Sequence, residues 1–132
     1  MYLLDTNVCI HLLNERHAGI EKNFRSHSPK EIGLCSIVKS ELLFGARYSR
    51  RVNGNLQRLK QFFAPLASFP FDDRCAEEYA QIRADLTAQG KIIGPNDMLI
   101  AAITRANNAT LITHNTGEFG RIVGISIEDW EK

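Results

Sequence analysis

The 132-residue sequence points to an α/β domain, a short parallel β-sheet flanked by helices on both faces. Short apolar runs alternate with longer segments of helical period, and strands separated by helices pair in parallel. The length suits one hydrophobic core, so residues 1–132 are read as a single domain. A hydrophobic fraction of 44% with 23% charged residues excludes a disordered or fibrous chain.

Tyr2-Leu3-Leu4 reads as a short buried strand. Val8, Ile10, Leu12 and Leu13 mark the helix after it, and a second helix lies near Ile20 to Arg25. Ile32 to Cys35 is the next strand, and Ser36 is placed to cap a helix running to about Arg47. Lys39 stands where a glutamate would complete a capping box there. Val52 to Phe63 forms another helix, and Leu66 to Phe71 a weak strand behind Pro65. Asp73 through Gln89 is helical and ends at Gly90. Pro95 suits a first helical turn, because its missing N–H is one that no helix start satisfies internally. Thr110 to Thr113 and Ile125 to Ile127 complete the strands.

Several function classes are excluded early. The start, Met1-Tyr2-Leu3-Leu4-Asp5, meets a charge at once and has no basic leader, so neither a signal peptide nor a membrane anchor is expected and a cytoplasmic location follows. Cys9, Cys35 and Cys75 are odd in number, widely spaced and set among apolar residues, which fits reduced core thiols. The four histidines show no zinc-site spacing. Net charge is only +1, yet residues 39–60 carry six basic side chains against Glu41 alone, while the rest carries ten basic and fourteen acidic. That stretch is either a solvated helix face or a surface for an anionic partner such as nucleic acid.

Three carboxylates stand where burial is expected. Asp5 directly follows the first strand, at the carboxyl edge where open parallel sheets collect ligands. Glu41 projects between Ile37 and Val38 on its helix, with Gly45 one turn below leaving space over the carboxylate. Asp97 heads Met98-Leu99-Ile100-Ala101-Ala102-Ile103, a helix apolar on every side, and its neighbours on the helical wheel, Ala101 and Thr104, are small. Each acid has a bland reading: a turn or cap for Asp5, a buried salt bridge for Glu41, a cap for Asp97. If the three converge, each pair about 5 Å apart repels by roughly 3 kcal/mol at an effective dielectric of 20. Such a cluster requires a cation or a shared proton, and an all-oxygen donor set selects Mg²⁺ or Mn²⁺.

Asp5-Thr6-Asn7 after the first strand, Glu41 within Ser-Glu-Leu-Leu-Phe-Gly, Gly94-Pro95-Asn96-Asp97, and Thr113-His114-Asn115 followed by Glu118-Phe119 together resemble the PIN-domain ribonucleases. The likeness is closest to the VapC toxins of bacterial type II toxin–antitoxin pairs, and it spans nearly the whole chain through Ile127-Glu128-Asp129-Trp130. The resemblance implies a PIN-like fold and RNA hydrolysis with Mg²⁺ or Mn²⁺. Asp5 and Asp97 become the principal ligands, and Glu41 a ligand or the orienter of the attacking water. Asn115 stands where many PIN domains have a further aspartate, so it supports the site with Glu118 and leaves fewer charged ligands. Thr6, Asn7 and Thr113 are supporting residues. The basic stretch at Arg47, Arg50 and Arg51, with Tyr48 available to stack, would hold the RNA backbone.

The resemblance further implies a cognate VapB-like antitoxin, a homodimer, and tRNA as substrate, initiator tRNA among the candidates. Two rivals stand beside this reading. One is a catalytically inert nucleic-acid-binding module whose acids close a structural salt-bridge network. The other is a phosphatase with Asp5 as nucleophile, disfavoured because Asn7 occupies the general-acid position of an Asp-x-Asp motif.

Overall fold

The computed structural model describes residues 1–132. Its five strands are β1 (Tyr2–Leu4), β2 (Ile32–Cys35), β3 (Ala67–Phe69), β4 (Thr110–Ile112) and β5 (Ser126–Glu128). All neighbours pair in parallel, in the order β3-β2-β1-β4-β5. The interior strands read as continuous apolar runs because both faces are covered: every residue of β2 is buried, and so are Leu3, Leu4, Leu111 and Ile112. The helices are α1 (Thr6–Asn14), α2 (Ala18–Arg25), α3 (Ser36–Arg47), α4 (Val52–Phe63), α5 (Asp73–Ala88), α6 (Pro95–Ala106) and α7 (Thr116–Phe119).

The expected architecture is present, with local corrections. Ser36 does not cap α3: β2 runs straight into the helix, Ser36 is already helical, and Cys35 occupies the cap without a side-chain hydrogen bond. The third strand is confined to three residues, since Pro65 and Pro70 flank it and neither can donate to a ladder. Three caps escape the sequence reading: His17 Nδ1 accepts the Ile20 N–H, Asp72 accepts the Cys75 N–H, and Ser28 and Glu31 form a capping box around a 3₁₀ turn at Pro29–Glu31. The short helix α7 escapes it too. Helix α5 ends as expected near Gly90, whose φ of 66° lets the Lys91 N–H return to the Leu86 carbonyl at 2.9 Å.

Helix α6 is the buried post that its sequence announced, with Met98, Ile100, Ala101, Ala102, Ile103 and Thr104 all buried. Pro95 is in its first turn. Cys9, Cys35 and Cys75 are buried and unbridged, and burial pushes each thiol's pKa up, so they pack as small apolar groups. No helix is long and apolar enough to cross a membrane.

Candidate active site

The strand order reverses direction at β1, with β2 and β3 laid to one side and β4 and β5 to the other. Such a switch point opens a crevice beyond the carboxyl ends of the strands flanking it. Asp5 leaves β1 there and Thr113 leaves β4 beside it. The Asp5 N–H donates to the Ile112 carbonyl at 3.0 Å, so the ladder fixes the residue that bears the carboxylate.

Asp5 is only 8% exposed. Its Oδ1 accepts the Val8 N–H at 2.9 Å and caps α1, so the bland reading as a cap is realised for one oxygen. The Thr113 hydroxyl is near enough to the carboxylate to favour its ionised form, and Thr113 Oγ1 in turn accepts the Asn115 N–H at 3.0 Å. Burial nevertheless pushes the Asp5 pKa above the ordinary carboxylate range. Thr113 and the Val8 N–H oppose this in part, and the charges of Glu131 and Glu41 add to it.

Glu41, on α3, is half-buried. Its Oε1 accepts the Thr6 hydroxyl at 2.8 Å, which ties α3 to the residue after Asp5 and leaves Oε2 without a protein donor. Asp97, on the first turn of α6, is half-buried too, and burial raises its pKa, with the charges of Glu118, Glu41 and Asp5 adding in that order. Glu118 comes from α7, where Asn115 Nδ2 donates to its Oε2 at 3.1 Å. The sequence-predicted acids thus come from four segments to within range of one another's charge, and Asn115 holds one of them rather than capping α7 with its side chain.

No lysine or arginine pairs with any of these acids. The chain's ion pairs lie elsewhere, Arg74 with Asp72 and Arg105 with Glu78, while His17 faces Glu131 and His114 faces Asp129 and Glu131. The buried salt bridge imagined for Glu41 is absent, and so is the acidic salt-bridge network that an inert module would require. What remains is an excess of negative charge in a half-dry crevice, and its donor set is wholly oxygen. The side chains do not close on one point, since no three His, Cys, Asp or Glu side chains stand together at ligating reach. An oxygen-only donor set suits a hard divalent cation better than a softer metal.

The basic stretch divides in two. Lys39 donates to Ser68 Oγ at 2.9 Å and lies over the Phe63 ring, and Arg58 donates to the Leu13 carbonyl, so both serve the fold. Arg47, Arg50 and Arg51 are exposed with no partner in the chain. Tyr48 is 84% exposed and stacks on Phe44, their rings 5.7 Å apart and 15° from parallel.

Sequence reasoning places Asp5, Asn7 and Asn115 at this edge but assigns no role to the His11, His114 and Glu131 that stand with them. A polar cleft is lined by Asp5, Asn7, His11, His114, Asn115 and Glu131. Its histidines and Glu131 come from opposite ends of the chain, and no local spacing could have joined them.

The PIN domain family model matches residues 2–124. Ribonuclease VapC2 of Rickettsia felis is 36% identical over 133 residues, covering 100% of this chain and 99% of that protein. The tRNA(fMet)-specific endonuclease VapC of Shigella flexneri is 33% identical, covering 98% and 97%. Among solved structures, VapBC2 from Rickettsia felis bound to a DNA fragment from its promoter superposes with a TM-score of 0.91 at 35% identity, covering 98% of each chain. An acidic crevice at the switch point of a parallel sheet therefore coincides with full-length similarity, and the chain belongs to the PIN-domain family and, within it, to the VapC ribonucleases.

Proposed function

We propose that this protein is a divalent-cation-dependent endoribonuclease toxin that hydrolyses tRNA in the cytoplasm. The observation that carries the reading is that the charges of Glu118, Glu41 and Asp5 all act on the half-buried Asp97 while no lysine or arginine pairs with any of the four. Asp5 and Asp97 are the direct ligands, and Mg²⁺ or Mn²⁺ is the ion their oxygens suit. When bound, the cation acidifies a water and offsets charge building on the scissile phosphate. Glu41, fixed through Oε1 by Thr6, offers Oε2 to orient the attacking water and accept its proton. Thr113 steadies Asp5, and Asn115 steadies Glu118 beside Asp97. Arg47, Arg50 and Arg51 hold the RNA backbone, and Tyr48 offers a face for a base.

The tRNA assignment, with initiator tRNA as the first candidate, rests on the printed activity of the Shigella flexneri relative. A VapB-like antitoxin is the proposed partner, supported by the solved relatives being VapBC complexes. A groove of about 300 Å³ between α1, α3 and α4 is lined by Ile10, Leu13, Leu42 and Leu59 and opens beside Glu41, so an apolar segment seated there would end next to the acids. A homodimer is the proposed assembly. The test is incubation of purified protein with total RNA and Mg²⁺, followed by sequencing of new 5′ ends. Cuts at discrete tRNA positions that vanish with chelator are expected, and RNA left intact in Mg²⁺ and Mn²⁺ would refute the proposal.

A further inference from the structure

The polar cleft beside Asp5 occupies about 380 Å³ and has no apolar residue in its lining. One wall is His114, whose position follows from strand register. In the β4–β5 pair Ile112 lies opposite Glu128, and the Thr113 N–H donates to the Glu128 carbonyl at 3.0 Å. His114 and Asp129 therefore emerge side by side at the carboxyl edge, with His114 Nδ1 3.0 Å from Asp129 Oδ2. The other oxygen of Asp129 accepts the Glu131 N–H at 2.9 Å.

The burial of this pair is lopsided. The Asp129 side chain is 8% exposed and that of His114 is 62% exposed. Burial disfavours the Asp129 carboxylate, but the Glu131 N–H and His114 more than offset this and hold its pKa below the ordinary value, while a tie to an exposed imidazole adds little stability of its own. The C-terminal segment is already secured, since Trp130 is 2% exposed and donates from Nε1 to Glu128 Oε1 at 3.0 Å. The pair makes better sense as an orienting device. With its Nδ1–H committed to Asp129, His114 is left with Nε2, which has no partner in the chain.

Glu131 completes the wall. The Nδ1 of His17 accepts the Ile20 N–H, so His17 carries its proton on Nε2, which faces Glu131 Oε1 at 3.7 Å. Glu131 Oε2 lies 3.9 Å from His114 Nδ1. Both contacts are long and leave acceptor capacity on the carboxylate. The cleft therefore offers acceptors on Glu131 and on His114 Nε2 next to amide donors from Asn7 and Asn115. A phosphate, which only accepts, has no match in the Glu131 carboxylate or the unprotonated His114 Nε2. An unstacked nucleobase edge carries donors and acceptors side by side and matches the mixture.

We propose that this cleft is a base-recognition subsite, in which His114, aligned by Asp129, and Glu131 read an unpaired nucleobase bearing an amino group next to the bond that is cut. The proposal rests on the ribonuclease reading and gives it a specificity determinant. The hydrogens of an amino group donate to Glu131 and to the unprotonated His114 Nε2, while a ring nitrogen or carbonyl beside it accepts from the Asn7 amide. Uracil, which lacks the amino group, is the base discriminated against.

The two amide replacements of His114 separate recognition from support. His114→Gln places an amide oxygen near the Nε2 position, where it still accepts, and His114→Asn places an amide nitrogen near Nδ1, where it can still reach Asp129. Cleavage of a hairpin RNA pool with a randomised loop is sequenced for wild type, both variants and Glu131→Gln, with melting temperatures measured alongside. Wild type is expected to disfavour uridine about tenfold in kcat/KM at one fixed position beside the cut, the scale of one good polar base contact. His114→Asn should reduce this to within about twofold at an unchanged melting temperature, whereas His114→Gln retains most of it. A preference unaltered in His114→Asn, absent from wild type, or lost only in variants that melt early overturns the inference and leaves the ribonuclease reading intact. A pool that wild type does not cut at all defeats that reading first, and the subsite with it.

Discussion

Asp5 performs two separable tasks, and substitution divides them. Its Oδ1 caps α1 through the Val8 N–H at 2.9 Å, and its charge contributes to the acidic crevice. Asp5→Asn keeps an oxygen for the cap and removes the charge, whereas Asp5→Ala removes both. Loss of an aspartate N-cap costs about 1 kcal/mol, and in a domain of this length that lowers Tm by roughly 3–6 °C. In metal-free buffer at pH 7, Asp5→Ala should therefore melt about 3–6 °C below Asp5→Asn. Asp5→Asn should melt no lower than wild type, because burial and the charges of Glu131 and Glu41 disfavour the ionised carboxylate. Both variants should lose at least about a hundredfold in tRNA cleavage with Mg²⁺, the scale of deleting one group that stabilises transition-state charge. Circular-dichroism melts and gel-resolved cleavage read the two tasks independently. Asp5→Asn cleaving at the wild-type rate would refute the catalytic assignment, and Asp5→Ala matching Asp5→Asn in stability would refute the cap.

Further outcomes follow from the same geometry. The Asp97 carboxyl has a folded pKa raised above its unfolded value, so the protonated form is the one favoured by folding, and stability from this group falls as pH rises through the folded value. Asp97→Asn should accordingly stabilise the metal-free protein at pH 7, with the gain vanishing below about pH 3.9, where the unfolded carboxyl is itself protonated. An equal gain at pH 3 and pH 7 contradicts this. Thr6→Val removes the 2.8 Å bond to Glu41 and should lower kcat by about 10–100-fold with KM little changed, as loss of an orienting partner does. A change confined to KM would assign Thr6 to binding instead. Joint replacement of Arg50 and Arg51 by Ala should reduce the salt slope of log Kd for RNA by about 1.4–1.8, whereas an unchanged slope makes them ordinary surface.

Much of this was legible in the chain because local patterns carried it. Apolar runs marked β1, β2 and β4, Pro95 marked the start of α6, and an acid at the head of an all-apolar helix marked Asp97 as anomalous before any contact was known. Boundaries failed where two local rules competed. Ser36 is a good cap residue, but β2 passes into α3 without the turn a capping side chain needs. The third strand reads longer in sequence than in space, because periodicity does not register that Pro70 ends the ladder. The His114–Asp129 pair and the cleft it lines were invisible for a different reason: they depend on β4–β5 register and on a C-terminal turn pinned by Trp130, both set by tertiary packing. The same holds for the tying of Lys39 and Arg58 into the fold, which leaves a smaller free basic patch than the charge count alone suggested.

On the proposed reading the crevice acids are tolerated together because a hard cation joins them, and anomalous diffraction from crystals soaked in Mn²⁺ tests this most directly. A manganese peak beside Asp5 and Asp97, within reach of Glu41 and Glu118 through bound waters and absent from Asp5→Asn crystals, is the predicted result. No peak in the crevice, or one that persists there after Asp5 and Asp97 are both replaced by Asn, would contradict the account.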